Sequence, residues 1–173
     1  MKVGFNRQVR KGLLAGGLLL ALLLMATPAI ADPPTIEPLE PEDRHFAAGE
    51  VCPFAVDIHD VTENGRFMTL VKDDGQEMHL ITGTLVTQFT NADTGKSVTL
   101  NVSGTYHKVA NPDGSGHARL TGRNAIWLFP EPLQGLSLIK GRLDWYDASG
   151  DVVIPETLTV NGTVTSICDM LAD

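Results

Sequence analysis

The feature that most constrains this chain is a repeating period of two. Val98, Leu100 and Val102 alternate with Thr99, Asn101 and Ser103. A strand sends successive side chains to opposite faces, so this run is a strand with one face on a core and one toward water. Just before it, Leu85, Thr87 and Phe89 share one face, and Thr84, Val86, Gln88 and Thr90 share the other. Asn91-Ala92-Asp93-Thr94-Gly95 joins the two with side chains that bond nearby backbone and a glycine that tolerates positive φ. A second tip, Asn111-Pro112-Asp113-Gly114-Ser115-Gly116, leads into a third strand. That strand carries Leu120, Ile126 and Leu128 on one face and Arg119, Arg123 and Trp127 on the other. Gly104 interrupts the pattern, as glycines do at bulges and bends.

The same signal recurs from Val51 onward. Phe54 to His59 alternates, Asn64-Gly65 is a two-residue hairpin signal, and Arg66 to Val71 follows. Asp74-Gly75 gives another turn before Gln76 to Ile81. After the three strands above come Gly135 to Tyr146, with Gly141 as a bend, a turn at Ala148 to Asp151, and a strand around Thr157 to Ile167. Ser166 to Leu171 has room for one helical turn at most. The pattern predicts an all-β domain of about eight antiparallel strands in a meander, either an up-and-down barrel or a two-sheet sandwich. Cys52 precedes the first strand and Cys168 ends the last. An exported chain with two cysteines oxidises them to one disulfide, which needs the Cα atoms within about 7 Å. The first and last strands of a barrel are neighbours, so a barrel is favoured over a sandwich.

Residues 1–31 read as a signal peptide. Lys2, Arg7, Arg10 and Lys11 precede the apolar run Gly12 to Ala26, and Ala29-Ile30-Ala31 fits a signal-peptidase site. The run is shorter than the roughly 20 residues of a spanning helix, so Sec-type export with cleavage after Ala31, to the cell exterior and without membrane insertion, is expected. Residues 32–50 hold four prolines and six acids, a composition that predicts a flexible tether to a single β domain over 51–173. Of the 13 basic residues in the whole chain, the four named lie in the leader while all 21 acids lie beyond it. So acidic a domain repels phosphate backbones and anionic membranes alike, which argues against both nucleic acid and an anionic membrane as partners.

No catalytic signature is present: no G-x-S-x-G, H-E-x-x-H or C-x-x-C, and no glycine loop that cradles phosphate. Asp57-x-His59 and Glu77-x-His79 each put a carboxylate and an imidazole on one strand face. The expected separation of their strands leaves them without converging ligands, so no metal or other cofactor is predicted. His107 and His117 flank the Asn111–Gly116 tip, where they are expected to face one another as an exposed polar pair. That tip lacks the glycine and glutamate spacing of a calcium loop. The candidate ligand-binding residues are Arg119, Arg123, Trp127 and the adjacent Asn124, with Trp145 and Tyr146 on the next strand. Lining a barrel interior, they would make an apolar pocket with a few orienting polar groups.

Cys52, the run Thr94 to Thr105, Thr121-Gly122-Arg123-Asn124 and Cys168-Asp169-Met170-Leu171 together resemble small secreted all-β proteins of actinobacteria. The resemblance implies an exported, disulfide-stapled β domain and brings no activity with it. The expected function is therefore non-enzymatic binding of a small molecule, glycan or protein partner. A small barrel enzyme of cyclase or isomerase type and a structural envelope component are the alternatives.

Overall fold

The computed structural model describes residues 33–127, 129, 133–147 and 153–172; the leader read over 1–31 lies outside the described residues, as does the Ala148–Asp151 turn. The described chain forms one antiparallel sheet of nine strands: β1 Thr35–Pro38, β2 Asp43–Phe46, β3 Val56–Val71, β4 Glu77–Asn91, β5 Ser97–Asn101, β6 Thr105–Ala110, β7 Gly116–Ile126, β8 Ser137–Asp147 and β9 Thr159–Ser166. A short helix, α1 (Ile167–Leu171), follows β9, and Ser166 caps it by accepting from the Asp169 N–H at 3.1 Å. The order along the sheet is β1-β3-β4-β6-β7-β8-β9, with β2 also on β3 and β5 also on β4. Among the described residues no helix is long and apolar enough to cross a membrane.

Three expectations are corrected. Asn64-Gly65 is not a hairpin tip. Both residues lie within the 16-residue β3, paired to Thr84 and Gly83 of β4. The turn signal is overridden because two glycines facing each other in a ladder serve close backbone approach instead. Residues 32–50 are not a free tether either, since β1 pairs with the second half of β3 and β2 with the first. Their backbone groups complete an edge that β3 would otherwise leave open. Finally, the barrel does not close: among the described residues no ladder joins β9 back to β1 or β2. The two ends of the domain meet through a loop and the disulfide. Cys52 and Cys168 are bonded with Cα atoms 5.5 Å apart, and the Leu136 N–H donates to Val51 O.

A line of glycines explains the shape. Gly65 pairs with Gly83, Gly122 with Gly141, and Gly141 with Gly162. Extending the β6–β7 register by one residue sets Gly104 opposite Gly122, and a Cβ on Gly122 would lie 3.4 Å from Gly104 Cα. The row crosses the sheet from β3 to β9. At Gly83 and Gly162 φ is +149° and +152°, and an added Cβ would lie 2.3 Å and 2.2 Å from backbone carbonyl oxygens of the neighbouring strand. Real side chains do not fit there, so the strands touch and bend.

The bend divides the hydrophobic residues into two cores. The first joins Val56 and Ile58 of β3, Phe89 of β4 and Leu138 of β8 to Ile167 and Leu171 of α1. Leu85, Val98 and Leu100 pack against it, on the faces that the alternation assigned to the interior. The second unites Ala118, Leu143 and Trp145 with Ile126 and Ile139, which lie across the glycine row on the same two strands. One strand face is thus concave at the row and closes on itself. A buried ion pair, Lys108 Nζ to Asp147 Oδ2 at 2.8 Å, connects β6 to the end of β8.

Candidate functional site

The bend opens a cleft between the chain linking β1 to β2 and the far end of β7. Leu39, Glu40, Glu42 and Arg44 form one wall, Ile81, Leu85 and Val102 the floor, and Asn124, Ala125 and Trp127 the opposite wall, around a volume of about 310 Å³. A deeper extension of about 180 Å³ reaches Gly65, Gly83, Gly104 and Tyr106. The glycine row makes that depth available. A side chain on Gly65 would meet Glu63 Oε1 at 2.5 Å, and one on Gly104 would meet Asn124 Oδ1 at 2.1 Å.

Two carboxylates enter from β3. Residues 60 and 63 would point to opposite faces of a regular strand, but the β3–β4 register slips between Asp60 and Thr62. The extra residue, Val61, is pushed outward and is 53% exposed. This bulge re-aims the strand so that Asp60 and Glu63 share the cleft. Asp60 is buried and accepts from the Thr87 hydroxyl at 2.8 Å and from the Glu42 N–H at 3.3 Å. The wall is pinned further by Leu39 N–H donating to Gly65 O at 3.0 Å. Glu63 Oε1 accepts from the Gly65 N–H at 2.6 Å. Burial raises the pKa of Glu63 above the ordinary glutamate range; the Gly65 hydrogen bond opposes this and the nearby charge of Asp60 adds to it.

At the mouth, the Arg44 guanidinium lies over the Trp127 ring, 5.4 Å from its centroid, and pairs with Glu42. Phe46 meets the same ring edge-on at 6.0 Å. The arrangement is an apolar plate with carboxylates on one side and one cation fixed in place.

The predicted site residues do not all line one pocket, although Trp127 and Trp145 share a second, apolar hollow of about 260 Å³ with Tyr106, Leu120 and Phe129. Trp127 and Asn124 line this cleft, Asn124 holding its amide in place by donating to Thr121 O at 3.1 Å. Trp145 belongs to the second core, with Phe129 edge-on at 5.4 Å and Tyr106 at 6.2 Å. Tyr146, the next residue, points to the opposite face and is 38% exposed. Arg119 and Arg123 also lie off the cleft: Arg119 pairs with Asp144 at 2.7 Å and Arg123 donates through Nε to Asn101 O at 2.8 Å.

The histidines do not converge on a ligand. His45 and His59 pair across β2 and β3 with Asp57 and Asp43, at 2.6 and 2.5 Å, while His79 pairs with Glu77 on its own strand. His107 stands opposite Arg119 rather than His117, because the β6–β7 register sets Val109 opposite His117. Among the described residues no group of three or more His, Cys, Asp or Glu side chains is arranged to hold a metal. Sequence reasoning passed over Asp60, Glu63, Glu42 and Arg44. The break in alternation between Ile58, Asp60 and Glu63 was the one available signal for the bulge. No protein-family model, curated protein or solved structure matches the chain.

Proposed function

We propose that this is an extracellular, non-enzymatic binding domain whose cleft takes a compact amphipathic molecule with an amine- or hydroxyl-bearing head. The observation that supports this most directly is the convergence of Asp60, Glu63 and Glu42 on a cleft floored by Ile81, Leu85 and Val102 and walled by Trp127. An apolar body would lie along the floor and against the Trp127 ring, and a polar head would donate to the carboxylates. Carboxylates recognise donors, so anionic ligands are disfavoured.

The test is a fluorescence and calorimetric titration with hydrophobic amines, amino sugars and matched neutral and anionic compounds. Chain fluorescence comes from two tryptophans, so Trp145→Phe leaves Trp127 as the sole reporter. Amines or amino sugars should bind and quench Trp127, and Glu63→Gln with Glu42→Gln should weaken them at least tenfold. Absence of binding across the panel, or binding that ignores those substitutions, would overturn the reading.

One observation favours a second reading, an acid–base enzyme. Glu63 holds its proton to higher pH than an ordinary glutamate and sits beside a hydrogen-bonded Asp60, the kind of environmental asymmetry that separates acid from base. Under that reading Glu63→Gln abolishes turnover of a bound ligand while retaining its affinity. Product formation that survives the substitution would exclude Glu63 as the acid.

A further inference from the structure

The opposite side of the sheet carries a different chemistry, and the register lays it out in rows. One row runs Ile36, Met68, Leu80, His107, Arg119, Asp144. The next toward the hairpin tips runs Leu70, Met78, Val109, His117, Tyr146. On the other side of the first row, Thr121 stands opposite Arg142, and Arg123 opposite Lys140. Apart from Arg66, opposite Pro38 and Thr82, apolar side chains thus occupy the β1–β4 half of this face, and cations the β7–β8 half. Ile36 is 52% exposed, Tyr146 38%, and Met68, Leu70, Met78 and Leu80 are half-buried with no element packed over them among the described residues.

The charge separation is pronounced. Beyond residue 31 the chain has nine cations against 21 acids, yet Arg119, Arg123, Lys140 and Arg142 stand on this side of β7 and β8, where Asp144 pairs with Arg119 and Arg142. That carboxylate accepts from Arg119 Nε at 2.7 Å and from Arg142 Nη2 at 3.0 Å. Its pKa is lowered, first by the Arg142 hydrogen bond. Arg123 and Lys140 face each other across the ladder with no acid in their row. The overall acidity of the chain would repel an anionic surface at long range. Screening confines that repulsion to about 8 Å at physiological salt, so the contacting face decides.

From this geometry we infer that the outer face docks peripherally on an anionic lipid surface. Lipid headgroups carry the negative charge that the β7–β8 half complements, and the interfacial region accepts the half-buried methionine and leucine side chains and the Tyr146 ring beside it. A soluble polyanion would satisfy the cations and leave the apolar half in water, which is why the lipid surface is the better fit.

The experiment is vesicle co-sedimentation of the oxidised protein over residues 32–173, which form a compact unit of their own. Vesicles of phosphatidylglycerol mixed with phosphatidylcholine are compared with phosphatidylcholine alone. Binding should appear with the anionic vesicles only and weaken as salt rises. Arg123→Gln with Lys140→Gln, which leaves the Asp144 cluster intact, should lower partitioning roughly 10- to 30-fold. Met68→Gln should lower it at every salt concentration, since that contribution is apolar. Thermal melts establish that each variant is folded. Failure to bind anionic vesicles at low salt, equal binding to neutral vesicles, or unchanged partitioning of the Arg123/Lys140 variant would each overturn the proposal. Binding to alginate or heparin with none to vesicles would also overturn it, in favour of a soluble polyanion.

Discussion

Replacing Gly141 by alanine tests whether the glycine row bends the sheet. Gly141 has φ +139°, and a Cβ there would lie 2.3 Å from Asn161 O and 2.8 Å from Gly162 Cα, both backbone atoms that cannot rotate away. The backbone conformation alone costs a residue with a side chain about 1–3 kcal/mol. Relieving the overlap requires β8 and β9 to part at that point, and each ladder hydrogen bond lost removes about 1 kcal/mol net. Two such bonds bring the total to roughly 3–5 kcal/mol, a large share of the 5–15 kcal/mol that holds a domain folded. Gly95→Ala is the control. It also has positive φ, +76°, but nothing lies within 4 Å of its added Cβ, so it should cost about 1 kcal/mol. Urea unfolding of the oxidised protein, followed by tryptophan fluorescence, separates them. With a slope near ~1.5 kcal/mol/M, the Gly141→Ala midpoint falls by about 2–3 M and that of Gly95→Ala by less than ~1 M. Equal shifts would refute the claim that close approach, rather than φ alone, makes glycine necessary in the row.

Three further outcomes are expected. Glu63→Gln keeps the acceptor for the Gly65 N–H and removes a carboxyl whose pKa is raised on folding. The stabilising contribution of that proton is complete below the ordinary glutamate range and is lost as pH rises through the folded value. The variant should therefore melt with the parent in acid and above it at neutral pH, and a constant difference across pH would contradict the assignment. Reduction of Cys52–Cys168, whose partners are 116 positions apart, should lower stability by about 5 kcal/mol on the chain-entropy model; a urea midpoint indifferent to reductant would show that the two ends hold together without the bond. Asp147→Ala takes the paired carboxylate away from the buried Lys108 ammonium, whose side chain is 9% exposed, and should cost about 3–5 kcal/mol, most of it recovered when Lys108→Met is added. Denaturation of the single and double variants checks this, and a double variant no more stable than the single would count against the charge as the cause.

Local alternation carried most of what was legible in the sequence. Leu85, Thr87 and Phe89, and Val98, Leu100 and Val102, lie on the core-facing sides that their spacing predicts, because period two is a property of the strand itself. The tips at Asn91–Gly95 and Asn111–Gly116 also form as read, with Gly95 and Gly114 at positive φ. The pairing of the cysteines followed from their number and spacing. What remained hidden depends on register. Gly65, Gly83, Gly104, Gly122, Gly141 and Gly162 are scattered along the chain and become a line only once the strands are aligned. Asn64-Gly65 carries a strong local turn signal, and only the facing Gly83 shows why it is overruled. The cleft was hidden for the same reason. Asp60 and Glu63 belong together through a one-residue bulge, and Arg44 reaches Trp127 from a segment whose composition reads as solvent-borne. In the candidate ligand-binding set, Trp145 and Tyr146 were placed together on one strand, but neighbours in a strand look in opposite directions.

The way the first core is assembled has a kinetic consequence. Strand order follows chain order through most of the sheet, so each ladder can zip onto the one before it as the polypeptide is made. Val56 and Ile58, by contrast, belong to a core that is completed only when Ile167 and Leu171 arrive, across nearly the whole span of the domain. A growing chain therefore reaches a paired but half-packed state and must wait there for its last buried partners. The slow, long-range closure comes at the end.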